Sequence, residues 1–446
     1  MIQLTRDPAV SPVRLEARSM HDTSWVEINL SRLDHNLAAF RQLIGADRPG
    51  GPGICAVVKA NAYGLGAVAI AKRLIARGVN MLAVFSPTQA EELVRHAVHC
   101  PILLLMPLRS LKRQDLLYRP AAAGTLHLSL HDVHQLGQVS AFAQMLGLNV
   151  PLHLYYDTGM SRAGLNRQDM IEVLHAIPHT RNVHLAGIYT HLATAGSDEA
   201  FARRQLEELD LLLEQHRALI PRGTIIHVAN TSGALRDRRF HKSMIRIGLG
   251  LYGYGPDLLT GGSVIGDMSE LQPVVRWMSR VVHVARYPAG ATVGYDATHT
   301  LHRDSVLGLV PAGYADGYPV SLSNRSMVCV PALRTGPSHP AAPVLGRVSM
   351  EQIVIDLTDL VNAIDPSLVR TGDAAALSRL LQMEVELISD DPTSPCSLPA
   401  LAEAAQTNCY ELLCRIAPWV PRRYITPEVR AVALATSVTG EHSRSA

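Results

Sequence analysis

The chain has 446 residues, of which 47% are hydrophobic and 18% charged, and its formal net charge is +2. This length allows two or three domains with an ample core. A net charge so close to zero gives no electrostatic attraction to nucleic acid or to anionic membranes, and no apolar run approaches the length needed to cross a bilayer.

The six cysteines are scattered along the chain, and several lie in apolar runs. They fit reduced, buried thiols better than a disulfide framework, and residues 1–20 carry no apolar segment of a signal peptide. We therefore expect a cytoplasmic protein. No metal site is predicted, because Cys409 and Cys414 have no matching pair of Cys or His at the ligand spacing of zinc.

The first part of the chain alternates between strand-like and helix-like segments. After an expected loose tail at 1–22, residues 25–30 alternate like a strand, and Ser31 is predicted to cap the next helix, with Asp34 at the capping-box position. An apolar run before Lys59 is the next expected strand, and the others are 81–85, 101–105, 126–130, 150–156, 183–189, 225–228 and 245–249. The clearest helical patterns are 88–97, 168–176 and 199–219. Such alternation is typical of βα units around a parallel sheet, and eight of them close a barrel.

The pattern changes after about residue 273. Short β-rich runs at 274–287, 305–311, 327–331, 344–357 and 384–388 are separated by turn residues, and a helix is expected near 398–414. The predicted fold is α/β, a TIM-type (β/α)8 barrel followed by a mostly β C-terminal domain. The expected limits are 23–270 for the barrel, 271–424 for the second domain and 425–446 for a C-terminal tail.

The most informative stretch is the apolar run that ends on Lys59. Glycines and a proline precede this run, and a small turn containing Tyr63 follows it, before a helical pattern from residue 67. A lysine at the end of a buried strand is costly, unless its ammonium is paired or loses its proton and becomes a nucleophile. A lysine that ends a strand by extending to solvent looks the same, so the residues alone leave both interpretations open.

Other polar residues follow predicted strands, where barrel enzymes build their sites. Arg162 suits bidentate binding of a carboxylate, His191 offers an imidazole, and Asn230 begins a small polar loop. After Arg246 come glycines, including Gly248, whose N–H groups could meet a phosphate. Each has an ordinary structural alternative: a surface ion pair, a core histidine, a common loop or a common turn.

The order of these motifs, more than any one of them, resembles the alanine racemase family. Val57-Val58-Lys59-Ala60-Asn61-Ala62-Tyr63-Gly64 matches the lysine signature of that family. Met-x-Arg-x-Gly, Tyr-Thr-His, Ala-Asn-Thr-Ser, Arg-Ile-Gly, Gly-Tyr-Asp-Ala-Thr, Gly-Tyr-Ala-Asp-Gly, Gly-Arg-Val-Ser-Met and Val-Pro-Arg follow in the same order as in the family. The resemblance covers residues 25–423 and implies pyridoxal 5'-phosphate as cofactor and interconversion of L- and D-alanine.

The resemblance also implies roles for individual residues. Lys59 would hold the cofactor and act as the base on one face of the substrate, while Tyr295 from the other subunit of a homodimer would act on the opposite face. Free lysine and tyrosine titrate near pH 10, so both pKa values must be lowered. The other implied residues bind the cofactor (Tyr63, His191, Asn230, Thr231, Arg246, Gly248 and Leu249) or the substrate (Arg162, Met350 and Tyr314).

Four positions depart from the family pattern. Tyr155 stands where many members have a lysine, Ala163 replaces a larger apolar residue, Glu351 replaces aspartate, and Trp419 replaces arginine. These departures make a serine or broad-specificity racemase an alternative. Related decarboxylases share the barrel and the lysine, but they place an acid at the ring nitrogen of the cofactor, where this chain offers an arginine. A non-catalytic, single-domain cofactor-binding barrel is disfavoured by the second domain.

Overall fold

The structure is a computed structural model that describes residues 23–255, 259–261, 264–266, 270–333 and 339–426. The tail predicted at 1–22 lies outside the described residues, as does the tail predicted at 425–446 apart from its first two residues. None of the helices in these ranges is long and apolar enough to cross a membrane.

A closed barrel of eight parallel strands occupies the first part of the chain. Its strands β2 to β9 pair in chain order, and β9 pairs with β2 to close the ring. The elements are β1 (Ser24–Asn29), α1 (Leu30–Ile44), β2 (Gly53–Val57), α2 (Lys59–Tyr63), α3 (Ala67–Ala76), β3 (Met81–Val84), α4 (Pro87–Arg95), β4 (Ile102–Leu104), α5 (Tyr118–Ala122), β5 (Leu126–Leu130), α6 (Val133–Leu146), β6 (Val150–Tyr155), α7 (Arg167–Ala176), β7 (Val183–Tyr189), α8 (Glu199–Gln215), β8 (Ile225–His227), α9 (Thr231–Arg236) and β9 (Met244–Ile247). The predicted (β/α)8 barrel is confirmed.

The second part of the chain is mostly β, as predicted. Its elements are β10 (Val275–Arg280), β11 (His283–Tyr287), β12 (Thr292–Val293), β13 (His299–Thr300), β14 (Ser305–Val310), β15 (Met327–Cys329), β16 (Ala341–Leu345), β17 (Ile353–Asp356), α10 (Thr358–Ile364), α11 (Pro366–Thr371), α12 (Ala374–Leu377), β18 (Glu384–Ile388), α13 (Leu398–Ala404), α14 (Cys409–Arg415) and β19 (Arg422–Ile425). Nine strands form one sheet in the order β11-β14-β17-β16-β15-β18-β10-β1-β19.

Strand β1 joins the sheet of the second domain. It pairs antiparallel with β10, with Ser24 opposite Ser279, and parallel with β19, with Asn29 opposite Ile425. In sequence β1 precedes the boundary expected at residue 270, but in space it belongs to the sheet of the second domain, whose other strands all come after residue 270.

Several predicted elements were wrong in detail. The β-rich runs 274–287 and 344–357 each span two strands, while the single helix expected at 398–414 is α13 and α14, with Gln406 between them in the left-handed region at φ +56°. Ser31 is not a cap, because the Asn29 side chain accepts from the N–H groups of Ser31 and Arg32. Asp34 pairs instead with arginines of the neighbouring helix.

Candidate active site

Lys59 is separated from the end of β2 by one residue, Val58, and begins α2, which is a left-handed turn. Residues 60–63 all have φ between +51° and +58°. Each left-handed residue other than glycine costs about 1–2 kcal/mol, so such a run persists only where its surroundings impose it. Gly64 belongs to those surroundings, because a Cβ there would lie 2.5 Å from the carbonyl oxygen of Leu413 in α14. The second domain thus packs against the turn that carries the lysine.

The environment of Lys59 favours its neutral amine. Burial is the largest effect that lowers its pKa, and the guanidinium of Arg162 adds to it, followed by that of Arg246. The thiol of Cys414 acts in the opposite direction. A lysine that loses its proton readily is suited to act as a nucleophile and as a base.

Arg246 of β9 is 5% exposed and is held by neutral acceptors. Its Nη1 donates to the carbonyl oxygen of His227 (2.8 Å) and to Nδ1 of the same residue (3.1 Å), while Nη2 donates to the carbonyl oxygens of Thr190 (2.8 Å) and Val228 (3.1 Å). Its guanidinium carbon lies 5.2 Å from the ring centre of Tyr189. Within the described ranges no carboxylate pairs with it, and none of its hydrogen bonds uses the Nε–H.

His191 follows β7 and lies among the cations of the site. Burial is the main cause that lowers its pKa to about 3, and the charges of Arg246, Arg162 and Lys59 contribute in that order. The ring is therefore neutral near pH 7. The structure thus brings Lys59, Arg162, His191 and Arg246 together at the C-terminal end of the barrel.

A small pocket of hydrogen-bonding groups lies between β8 and β9. Asn230 caps α9, since its Oδ1 accepts from the N–H of Gly233 at 2.9 Å. The hydroxyl of Thr231 accepts from the N–H groups of Gly248 (3.4 Å) and Gly250 (3.3 Å). Leu249, which is buried, begins the 3-10 turn that follows. Clustered backbone N–H groups of this kind suit a phosphate.

The residues present fit pyridoxal 5'-phosphate. Gly248 leaves room that a side chain would fill, because a Cβ there would lie 2.0 Å from the hydroxyl oxygen of Tyr63. The unused Nε–H of Arg246 is a donor for a ring nitrogen, and an arginine has no proton to lose to that nitrogen. The amine of Lys59 supplies the group that attaches a cofactor aldehyde.

Tyr155 lies beside Arg162, at one of the positions that depart from the family pattern. Its ring stacks on Tyr189 with 4.6 Å between centroids, and its hydroxyl is buried with no hydrogen-bond partner. Burial raises the pKa of this phenol, while the charge of Arg162 lowers it. Arg162 itself is exposed.

Tyr295, Tyr314 and Met350 lie on the second domain and are exposed by 67%, 45% and 56%. They surround one loop, because the N–H of Tyr314 bonds to the carbonyl oxygen of Ser349 (3.0 Å) and Asp296, next to Tyr295, pairs with Arg347. Across the described residues, no hydrogen bond, ion pair or ring contact links any of the three to Lys59.

Two neighbours of the site came from the structure alone. Tyr410 of α14 packs against Tyr63 with ring centroids 5.9 Å apart, and Cys414 acts on Lys59 as described above. Both are more than 340 residues from the lysine in sequence, and no local sequence pattern predicts a contact over that separation.

Among the residues that the structure describes, one group of ligand atoms that could hold a metal ion lies in the second domain. Cys329, Glu386 and Cys396 place their atoms within 4.8 Å of one another, because Cys329 and Glu386 are opposite each other in β15 and β18. The carboxylate of Glu386 bonds to Arg276 at 2.9 Å. Cysteine spacing did not reveal this group, since strand pairing creates it.

The fold and this site define a two-domain barrel enzyme with a reactive amine. Residues 28–256 match the family model described as alanine racemase, N-terminal domain, and residues 274–424 match alanine racemase, C-terminal domain. The chain is 32% identical to the alanine racemase of Symbiobacterium thermophilum over 403 residues, which are 90% of this chain and 97% of the relative.

Solved structures agree with these matches. Alanine racemase from D-cycloserine producing Streptomyces lavendulae has 26% identity and a TM-score of 0.76, and the match covers 92% of this chain and 98% of that one. The fold is also that of alanine racemase from Bartonella henselae with covalently bound pyridoxal phosphate, at 24% identity, a TM-score of 0.70 and coverage of 90% and 99%.

The chain belongs to the alanine racemase family. It is an isomerase that interconverts L- and D-alanine, and the curated relatives carry that activity in their names. A serine or broad-specificity racemase and a decarboxylase are not favoured by these comparisons.

Proposed function

We propose that the chain racemises alanine with two bases, Lys59 and the Tyr295 of a second copy of the chain. The observation that carries this proposal is the lysine itself, which is desolvated, flanked by two guanidiniums and placed at the mouth of the barrel. Pyridoxal 5'-phosphate, when bound, delocalises the electron pair left at the substrate Cα after proton removal.

The residues around the lysine bind the substrate and the cofactor. Arg162 binds the substrate carboxylate together with the backbone of Met350, and Tyr314 shapes the entrance. Arg246 donates its Nε–H to the ring nitrogen, and His191 is its neutral neighbour. The phosphate is bound by the pocket between β8 and β9, formed by Tyr63, Asn230, Thr231, Gly248 and Leu249.

Proton transfer then needs a group on each face of Cα. Lys59 removes or returns the proton on its own face, and burial beside two guanidiniums lowers its pKa and so favours the free amine that accepts this proton. Tyr295 performs the same transfer on the opposite face. Equal access from both faces lets either enantiomer be substrate and product.

A homodimer supplies the second base. Tyr295, Tyr314 and Met350 form an exposed group on the second domain, and large exposed side chains clustered on one surface are typical of an interface. A twofold dimer would place this group of each copy over the barrel mouth of the other.

The decisive experiment mixes two inactive variants, Lys59→Ala and Tyr295→Phe, after unfolding and refolding them together. A mixed dimer contains one site with both bases intact, so random pairing should restore about a quarter of the wild-type activity. No restoration would mean that both bases come from one chain. Refolding each variant alone is the control.

A second experiment follows exchange of the Cα proton in D2O by NMR, with L-alanine and L-serine offered separately to the enzyme loaded with cofactor. Exchange with formation of D-alanine supports the proposed reaction. Rapid exchange of serine with little of alanine would contradict it, and carbon dioxide release without racemisation would indicate a decarboxylase.

We also propose that the enzyme works in the cytoplasm and supplies D-alanine for peptidoglycan precursors. All six cysteines are free thiols, which is typical of a reducing compartment. Cells depleted of this enzyme should then require added D-alanine for growth, and growth without it would contradict the role.

A further inference from the structure

Three histidines inside the barrel form a continuous line of hydrogen bonds that starts at Arg246. Nδ1 of His227 lies 3.1 Å from Nη1 of Arg246, Nε2 of His227 lies 2.8 Å from Nδ1 of His153, and Nε2 of His153 lies 2.9 Å from Nδ1 of His127. We call His227, His153 and His127 the imidazole chain. It crosses the barrel interior from β8 to β5.

Only one arrangement of hydrogens on the ring nitrogens satisfies every hydrogen bond of the imidazole chain. An arginine only donates, so Nδ1 of His227 accepts and its Nε2 carries the hydrogen. That hydrogen goes to Nδ1 of His153, whose Nε2–H in turn goes to Nδ1 of His127. Every donor therefore points away from Arg246, and chains of aligned hydrogen bonds strengthen one another.

The barrel makes room for this arrangement. His153 and His227 are fully buried, and a Cβ on Gly187 of β7 would lie 2.2 Å from Nδ1 of His153. The pairing of β6 with β7 shifts register between Leu152 and His153. Burial keeps the pKa of all three imidazoles below the ordinary value, so each is neutral near pH 7.

We propose that the imidazole chain positions Arg246 and spreads the charge of its guanidinium through the barrel, so that the Nε–H is presented to the ring nitrogen of the cofactor. A buried cation usually needs an anion beside it, but the described residues surround Arg246 with carbonyl oxygens, the ring of Tyr189 and this line of polarised imidazoles. A carboxylate in that place would instead pull the guanidinium towards itself. This inference rests on the proposed function for the identity of the cofactor.

The first measurement is the tautomeric state of the three histidines by 15N NMR, on the protein without cofactor. His227 and His153 should each carry hydrogen on Nε2 and none on Nδ1. In a His153→Leu variant His127 loses the donor to its Nδ1, so the two tautomers of His127 should interconvert, while Arg246 still holds His227 with hydrogen on Nε2. Hydrogen on Nδ1 of His227 in the unsubstituted protein would overturn the inference, whatever the enzyme catalyses.

The second measurement uses the enzyme loaded with pyridoxal 5'-phosphate. His153→Leu should shift the visible absorption band of the bound cofactor and lower kcat for alanine about tenfold, the size expected for one lost hydrogen bond in a charged chain. The KM for alanine should stay within about twofold, because Arg162 is untouched. His153→Gln, whose amide both accepts and donates, should restore the band and most of kcat.

A matched control is His241→Leu. His241 is also buried, but its Nε2 bonds to the carbonyl oxygen of Ala234, outside the imidazole chain. This variant should lose stability without shifting the absorption band. If His153→Leu behaves like the control, the histidines only fill the barrel. If the unsubstituted enzyme binds the cofactor but does not racemise alanine, the proposed function is wrong. The absorption band of the bound cofactor and the tautomers of the three histidines still test the imidazole chain in that case.

Discussion

Gly248 and Tyr63 are in such close contact that a Cβ on the glycine would sit 2.0 Å from the phenol oxygen. The contact joins the loop after the last barrel strand to the turn after the first. Any side chain at position 248 would displace the phenol from the pocket proposed for the phosphate.

The first prediction concerns that contact. Gly248→Ala should weaken binding of pyridoxal 5'-phosphate at least tenfold, the cost of about one hydrogen bond to a charged group. Titration of the protein with the cofactor, followed by absorbance, measures the change. Gly137→Ala in α6 is the control, because nothing lies within 4 Å of its added Cβ. Equal affinity in the two variants would contradict the prediction.

The left-handed turn gives a second prediction. Glycine tolerates positive φ, so Ala60→Gly should relieve about 1–2 kcal/mol of strain, offset by about 1 kcal/mol of extra freedom in the unfolded chain. The free energy of unfolding in urea should therefore stay level or rise. Ala69→Gly, inside α3, should lose about 1 kcal/mol. A loss at Ala60 as large as that at Ala69 would argue against strain.

Acid stability provides a third prediction. Burial lowers the pKa of His127 from 6.5 to about 4, so the unfolded chain takes up a proton in this window and the folded chain does not. The folded state is therefore penalised as the pH falls from about 6.5 to about 4, by about 2 kcal/mol at pH 5 for this residue. His127→Gln should reduce the loss of stability between pH 8 and pH 5 by that amount. An unchanged loss would show that His127 is protonated in the folded protein.

The fourth prediction concerns the unpartnered hydroxyl of Tyr155. A buried hydroxyl without a hydrogen bond costs free energy, so Tyr155→Phe should raise the free energy of unfolding by about 1 kcal/mol. Tyr318→Phe is the matched control, because the buried Tyr318 donates to Ser326 at 2.9 Å and should lose about 1 kcal/mol. Urea unfolding measures the free energy of unfolding of both variants. A loss of stability in Tyr155→Phe as large as that in Tyr318→Phe would show that the hydroxyl of Tyr155 makes a hydrogen bond.

Barrel strands rich in buried apolar residues were the most predictable part of the fold. β5 and β7 begin and end where the pattern predicted, at 126–130 and 183–189, because their apolar residues, such as Leu126, Leu128 and Leu130, are buried in the main core. Predicted ends of helices were wrong where the backbone conformation of single residues, and not the local composition, decides where a helix begins or ends. Gln406 adopts a left-handed conformation that its neighbours in sequence do not predict. Asn29 caps α1 in place of Ser31, which was the predicted cap.

The site was predictable to the extent that it is built from strand ends. Lys59, Arg162, His191 and Arg246 meet because the carboxyl ends of parallel strands share one face of the barrel. The sequence does not predict the imidazole chain, because the pairing of β6 with β7 shifts register beside His153. The roles of the individual residues, and the crossing of Tyr295 to a partner, stay predictions.

The placement of β1 has a consequence for the order of synthesis. Ser24 lies opposite Ser279, and the other edge of β1 pairs with β19 at the end of the described chain. A ribosome therefore releases the whole barrel before either neighbour of β1 exists. During that interval the apolar residues Trp25, Val26 and Ile28 have no native sheet to enter, so this short strand is where a chaperone holding the nascent polypeptide would be expected to act.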